Sequence, residues 1–241
     1  MLLYAAVLAA AGVLMANSLT TWWLLLIELL GGTPQASGIA VPTDTTGLLI
    51  LLVSVGIIPG VCEELICRGG LMSAWERTGR RNALFVTSLL FTLLHGTIAG
   101  FPNQLLMGLI LGYIVIVSDS LFVGMVYHAV HNSITLLLAY FAETALPAEE
   151  TAAASLSMTE ALGSTAGYMT MLITTALLCL LFGLLFRSMM RYARRNGACL
   201  TLTNDVPPVP AAHFSEFIPL LPAFILVAFN YAADFMATFF G

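Results

Sequence analysis

The sequence predicts an all-α fold: a polytopic integral membrane helix bundle of about seven transmembrane helices, with a conical cavity open to the cytoplasm. Three observations predict it. Of the 241 residues, 59% are apolar and only 9% are charged, whereas soluble domains carry about 25% charged residues. The apolar residues fall in runs long enough to cross a bilayer, which takes about 20 residues of helix. A few ionisable and amide side chains lie inside those runs and reach one depth, which calls for water there. The chain is read as a single membrane domain, 1–241, with no fixed-period repeat. The net charge is -5, and no nucleic-acid partner is expected. No secretory signal pattern stands out, so Met1 is expected to be retained.

The first span is Leu2–Leu30, one long tilted helix with Trp22 and Trp23 towards an interface. Gly31–Asp44 is a polar loop with Pro34 and Pro42. The second span runs from about Thr46 to about Trp75 and carries Glu63, Glu64 and Arg68. Glu76–Asn82 contains Arg77, Arg80 and Arg81. The third span is short, from Ala83 to about Gly96, and ends near His95. Thr97–Asn103 is a turn with Gly100 and Pro102. The fourth span, Gln104–Val117, has Gly108 and Gly112 in a G-x-x-x-G pattern that lets helices approach closely. Ser118-Asp119-Ser120 is a tight turn. The fifth span, Leu121–Ala142, contains His128, His131 and Asn132. Glu143–Ser164 is a polar loop with four glutamates. The sixth span is about Thr165–Phe186. Arg187–His213 is a connector with Arg191, Arg194, Arg195 and Pro207–Pro210. The seventh is Phe214–Phe240.

Orientation follows from the eight basic residues, all arginine. With seven spans, the 77–81 and 187–195 clusters fall on one side, and the loops at 31–45, 97–103 and 143–164 contain no arginine. The positive-inside rule then puts the N-terminus in the cytoplasm and the C-terminus outside, in a cell membrane.

The chain is organised around Gly60-Val61-Cys62-Glu63-Glu64-Leu65-Ile66-Cys67-Arg68-Gly69. Ionisable groups at membrane depth are costly and are read as functional by default. At about 100° per residue, Glu64 and Arg68 lie about 40° apart and form a buried pair, while Glu63 points elsewhere. Pro59 lacks an N–H and is expected to kink the helix one turn before Glu63. At about 1.5 Å per residue, Glu63, His95, His128 and Asn132 lie roughly 12–20 Å from the arginine-bearing face. These four polar groups come from three different spans. His128 and Asn132 share a face at i,i+4, as do Phe91 and His95.

Glu63-Glu64-x-x-x-Arg68, Phe91-x-x-x-His95 and His128-x-x-x-Asn132, in this order, resemble the three motifs of the CPBP family. These are intramembrane proteases related to type II CaaX prenyl endopeptidases (Ras-converting enzymes) and to bacteriocin-immunity and maturation proteins. The motifs cover 63–132; the rest of the chain matches only in being hydrophobic. The resemblance implies an intramembrane endopeptidase acting near the cytoplasmic side. Glu63 and His95 would hold and activate a water, and His128 and Asn132 would stabilise the oxyanion. Glu64, Arg68 and Phe91 would be structural support. Amide hydrolysis needs such a base and such donors. The substrate would be a peptide or protein, lipidated or membrane-embedded. No cofactor is required by this chemistry. A divalent metal such as zinc is the alternative left open, with Glu63, His95 and His128 as its three ligands.

Two other function classes compete. One is a non-catalytic immunity or chaperone-like membrane partner. The other is an ion or proton pathway, for which buried Glu/His clusters also serve. The His128/Asn132 pair favours the protease, because a relay has no specific need of an asparagine there. The remaining polar residues get plainer readings. Cys62, Cys67, Cys179 and Cys199 have no metal or disulfide spacing and read as small apolar residues. His131 is a packed neighbour, and Asn103, Gln104 and Asp119 are caps or interface residues. Asn230 and Asp234, spaced i,i+4 in the last span, bond to each other or line a cavity. Glu149, Glu150 and Glu160 form a solvated loop face, and His213 is interfacial. The cavity is expected to be walled by the second, third and fifth spans and floored by Phe91 or Phe101.

Overall fold

The computed structural model describes residues 1–33, 41–42, 44–145, 158–198, 202 and 221–241. Glu149, Glu150, Cys199, the 207–210 prolines, His213 and 214–220 of the expected last span lie outside the described residues. The helices are α1 (Leu2–Leu29), α2 (Thr45–Thr78), α3 (Arg80–Leu94), α4 (Phe101–Ser118), α5 (Leu121–Ala145), α6 (Met158–Leu162), α7 (Thr165–Arg195) and α8 (Leu221–Phe240). Among the described residues there is no strand. Six of these helices (α1, α2, α4, α5, α7 and α8) are long and apolar enough to cross a membrane. The molecule is an all-α polytopic membrane bundle.

The ends of the helices follow from local chemistry. The Asp44 carboxylate accepts from the Gly47 N–H at 2.8 Å and opens α2. The Ser164 hydroxyl accepts from Gly167 N at 3.2 Å and opens α7. Gly79, at φ 102°, separates α2 from α3. Pro102 sits in the first turn of α4, where a missing N–H costs nothing, so α4 begins at Phe101 and not at Gln104. Asp119 ends α4 in the left-handed conformation, φ 49°.

The core is the junction of α1, α4, α5 and α7. It contains Leu8, Leu111, Ile114, Tyr127, Phe182 and Met189. Away from it, large apolar side chains point outward, among them Ile50, Val53 and Ile57 of α2 and Leu172, Ile173 and Leu177 of α7. In water so much exposed apolar surface would drive aggregation; in lipid it is the required outer face.

Two helix pairs approach unusually closely. A Cβ at Gly108 of α4 would lie 3.1 Å from Ser88 Cα of α3, and one at Gly112 would lie 2.5 Å from Leu84 Cδ1. The expected G-x-x-x-G contact is therefore between α4 and α3. Gly56 and Gly60 of α2 repeat the pattern: a Cβ at Gly60 would sit 2.8 Å from the Ala129 nitrogen of α5. Only glycine permits that spacing, and it brings α5 against the motif of α2.

The third expected span, α3, is not among the six helices long and apolar enough to cross a membrane. α3 has 15 residues, about 22 Å at about 1.5 Å per residue, against a hydrocarbon thickness of about 30 Å. Irregular backbone at that depth must be satisfied by protein. It is: Asp234 of α8 accepts from Ile98 N at 2.7 Å, the Trp23 indole of α1 donates to Ile98 O at 2.8 Å, and the Tyr231 hydroxyl donates to Thr92 O at 3.1 Å. Among the described residues Asp234 therefore bonds the turn after His95 and not Asn230, and Trp23 is a clamp on that turn.

Candidate active site

Pro59 shapes the stretch of α2 that carries the carboxylates. A proline has no N–H for the carbonyl four residues earlier, here Val55. The helix widens to π-helical turns at Leu52–Ile57 and again at Leu65–Met72, with Ile58–Glu64 between them. Such turns in α-helices are frequent at functional sites. The Asn132 side-chain amide of α5 donates to Val55 O at 3.2 Å, so the carbonyl that Pro59 orphans is satisfied from the neighbouring helix.

Glu64 and Arg68 form the expected pair, Nη1 to Oε1 at 2.7 Å, with both side chains shut off from solvent. Arg68 Nη2 also donates to Gly108 O at 3.0 Å, which ties α2 to α4. The same Glu64 Oε1 accepts from His128 Nδ1 at 2.9 Å. Glu64 thus holds two partners, and sequence reasoning found only one. Its other oxygen, Oε2, has no hydrogen-bond partner among the described residues. It fits because Gly124, one turn before His128, leaves room: a Cβ there would lie 3.2 Å from it.

The tautomers follow from the acceptors. A carboxylate oxygen accepts, so His128 Nδ1 carries the hydrogen and Nε2 faces Glu63, whose Oε2 lies 3.9 Å away. Glu63 is 37% exposed where Glu64 is 0%. His95, the C-cap of α3, donates from Nδ1 to Phe91 O at 2.8 Å and is exposed. Its Nε2 is left as the accepting nitrogen.

Phe91 lies among these groups. Its ring is 4.7 Å from the His95 ring, 5.8 Å from the His128 ring and 4.7 Å from the Arg68 guanidinium. It is the wedge of the cluster. Phe101 packs edge-on against Tyr231 of α8, 6.4 Å between centroids. Glu63, Glu64, Arg68, Phe91, His95 and His128 are therefore joined by direct contacts, and Asn132 sits one turn beyond His128 on the helix that carries it.

A cavity of about 230 Å³ opens at the arginine-bearing end, bounded by Arg68, Glu76 and Arg80 on one side and by Val115, Asp119 and Leu121 on the other. It stops at Arg68: none of Glu63, His95, His128 or Asn132 lines it. This cavity lies between α2, α3 and α4, with Leu121 of α5 at its edge, and is not the expected cavity around Glu63, His95 and His128.

Other expected residues fall outside the cluster. His131 is buried and stacks on Tyr127 with 6.1 Å between centroids. Cys62, Cys67 and Cys179 are free thiols. Gln104 contacts Thr97 at 3.5 Å, whereas Asn103 Oδ1 is buried without a partner among the described residues. Among the described residues no three His, Cys, Asp or Glu side chains converge on a point that one metal ion could occupy.

Residues 45–134 match the family described as Rce1-like: type II CAAX prenyl endopeptidase Rce1-like. The matched segment runs from the start of α2 into α5 and contains all the residues of the cluster. Searches of curated proteins and of solved structures give no match.

Proposed function

We propose that this chain is a CAAX-protease-like intramembrane endopeptidase that cleaves a peptide bond by activating water between Glu63 and His95, a reading supported by the match of residues 45–134 to the Rce1-like family. The single observation that carries this reading is the division of labour between adjacent carboxylates. Glu64 is sealed, and its one bonded oxygen is shared by Arg68 and His128; Glu63 is accessible, with its carboxylate on the far side of the same His128 ring.

Glu63 and His95 Nε2 are both acceptors. A water whose two hydrogens are taken by two acceptors presents its lone pair to a carbonyl carbon. Glu63 takes the proton as the C–O bond forms and delivers it to the leaving amine nitrogen as the C–N bond breaks. The oxyanion receives hydrogen bonds from Asn132 and His128. The Asn132 amide has a second N–H beyond the one given to Val55. His128 donates from Nε2 only as the doubly protonated ring, and carboxylates stand at both its nitrogens to balance that charge. The substrate is a peptide or protein, lipidated or membrane-embedded, drawn from the cytoplasmic side, where the arginine clusters orient the chain.

The test is incubation of the purified protein with a quenched fluorogenic peptide library, with product masses read to show new amino and carboxyl termini. Cleavage supports the reading. Binding of peptides with no new termini at any enzyme concentration would place the chain with the non-catalytic partner proteins.

A further inference from the structure

Among the membrane-long helices α8 is the least covered by protein. Ile225, Leu226, Phe229 and Met236 all point outward. Its polar side chains break that pattern. Asn230, Tyr231 and Asp234 are spaced i, i+1 and i+4 and share one side of the helix. That side faces the turn after His95.

The turn is held at three points. After His95 the backbone turns left-handed at Gly96, φ 65°, and a Cβ there would lie 3.4 Å from Asn230 Cβ. Two residues on, Ile98 N donates to Asp234 Oδ2 at 2.7 Å and Ile98 O accepts from Trp23. Three residues before His95, Thr92 O accepts from the Tyr231 hydroxyl and from the His95 N–H itself, each at 3.1 Å. Among the described residues the His95 ring is bonded only within its own turn, to Phe91 O. Where its Nε2 points is therefore decided by the backbone of 92–98, and α8 grips that backbone on both sides of it.

A carboxylate is an expensive choice for this bond. Charged side chains in membrane helices are rare because they lose their hydration, and a neutral serine or asparagine can also accept from an N–H. What the charge adds is a shorter, stronger hydrogen bond. We propose that Asp234 is a positioning residue for His95: it clamps the α3–α4 turn so that His95 Nε2 is held at the reacting water. This rests on the reading of His95 as one of the two water-holding groups, and it makes the last helix, outside the matched 45–134 segment, part of the catalytic apparatus.

The experiment compares wild type, Asp234→Ala and Asp234→Asn in two measurements: peptide hydrolysis with kcat and KM separated, and amide hydrogen exchange across α3 and the following turn. Misplacing a catalytic group by about 1 Å costs about 100-fold in rate. Asp234→Ala is expected to lower kcat by between about 10- and 100-fold with KM within about twofold, and Asp234→Asn, which keeps an acceptor, to stay within about threefold of wild type. Exchange at 96–101 is expected to rise in Asp234→Ala while the interior of α3 stays protected. A kcat unchanged in Asp234→Ala overturns the proposal whatever exchange shows. So do equal losses in both variants that track a lowered folded fraction, which mark a merely structural role. If wild type cleaves no peptide, the proteolytic reading has failed; exchange then decides the clamp alone, and unchanged protection at 96–101 overturns it.

Discussion

Removing the Glu64 carboxylate strands a buried cation. In Glu64→Ala, Arg68 keeps its bond to Gly108 O but loses its counter-charge at 2.7 Å, and its side chain is 1% exposed. Breaking one side of a buried pair costs about 3–5 kcal/mol. The unfolded reference state in a membrane also finds polar partners, which favours the lower end. At about 1.4 kcal/mol per tenfold, 3 kcal/mol is a factor of about 100 in the folded population. His128 also loses the acceptor at 2.9 Å that fixes its tautomer. The assay is denaturant unfolding in detergent beside turnover. Glu64→Ala is expected to lose both stability and activity. The double variant Glu64→Leu with Arg68→Leu removes both charges, and is expected to recover most of the stability but none of the activity, because His128 remains unanchored. A Glu64→Ala protein as stable as wild type would refute the pairing argument; an active double variant would refute the anchoring of His128.

Two further outcomes follow from the same geometry. Asn132→Ala leaves Val55 O without its donor at 3.2 Å, a loss of about 1–3 kcal/mol for an unsatisfied buried group. Adding Pro59→Ala supplies a backbone N–H for that carbonyl and is expected to return stability, though not turnover; additive destabilisation by the two changes would show that Asn132 and Pro59 are uncoupled. Treatment with 1,10-phenanthroline is expected to leave hydrolysis largely intact, and full loss restored by one divalent ion would assign catalysis to a metal site instead.

Much of this was legible in the sequence because membrane helices announce themselves by length and polarity. The boundaries of α1 and α2, the Glu64–Arg68 pair and the residues of the motifs all follow from one-dimensional spacing. What was not legible depends on contacts between helices. The Glu64–His128 bond joins residues 64 apart in sequence, and a helical wheel at about 100° per residue cannot see the π-helical turns that flank Glu63. Gly56-x-x-x-Gly60 has the same spacing as Gly108-x-x-x-Gly112, but spacing alone does not say that Ala129 of α5 packs against Gly60. The turn after α3 is satisfied by Trp23, Tyr231 and Asp234, residues far apart in the sequence, which spacing cannot show.

The most direct test of the account is Glu63→Gln, an isosteric change that removes the base and keeps the Glu64–Arg68 and Glu64–His128 bonds in place. The variant is expected to fold with an unfolding midpoint matching wild type and to lose about 10²–10⁴-fold in kcat, the range general-base catalysis supplies. Hydrolysis by Glu63→Gln at the wild-type rate would contradict the central claim that this carboxylate activates the water.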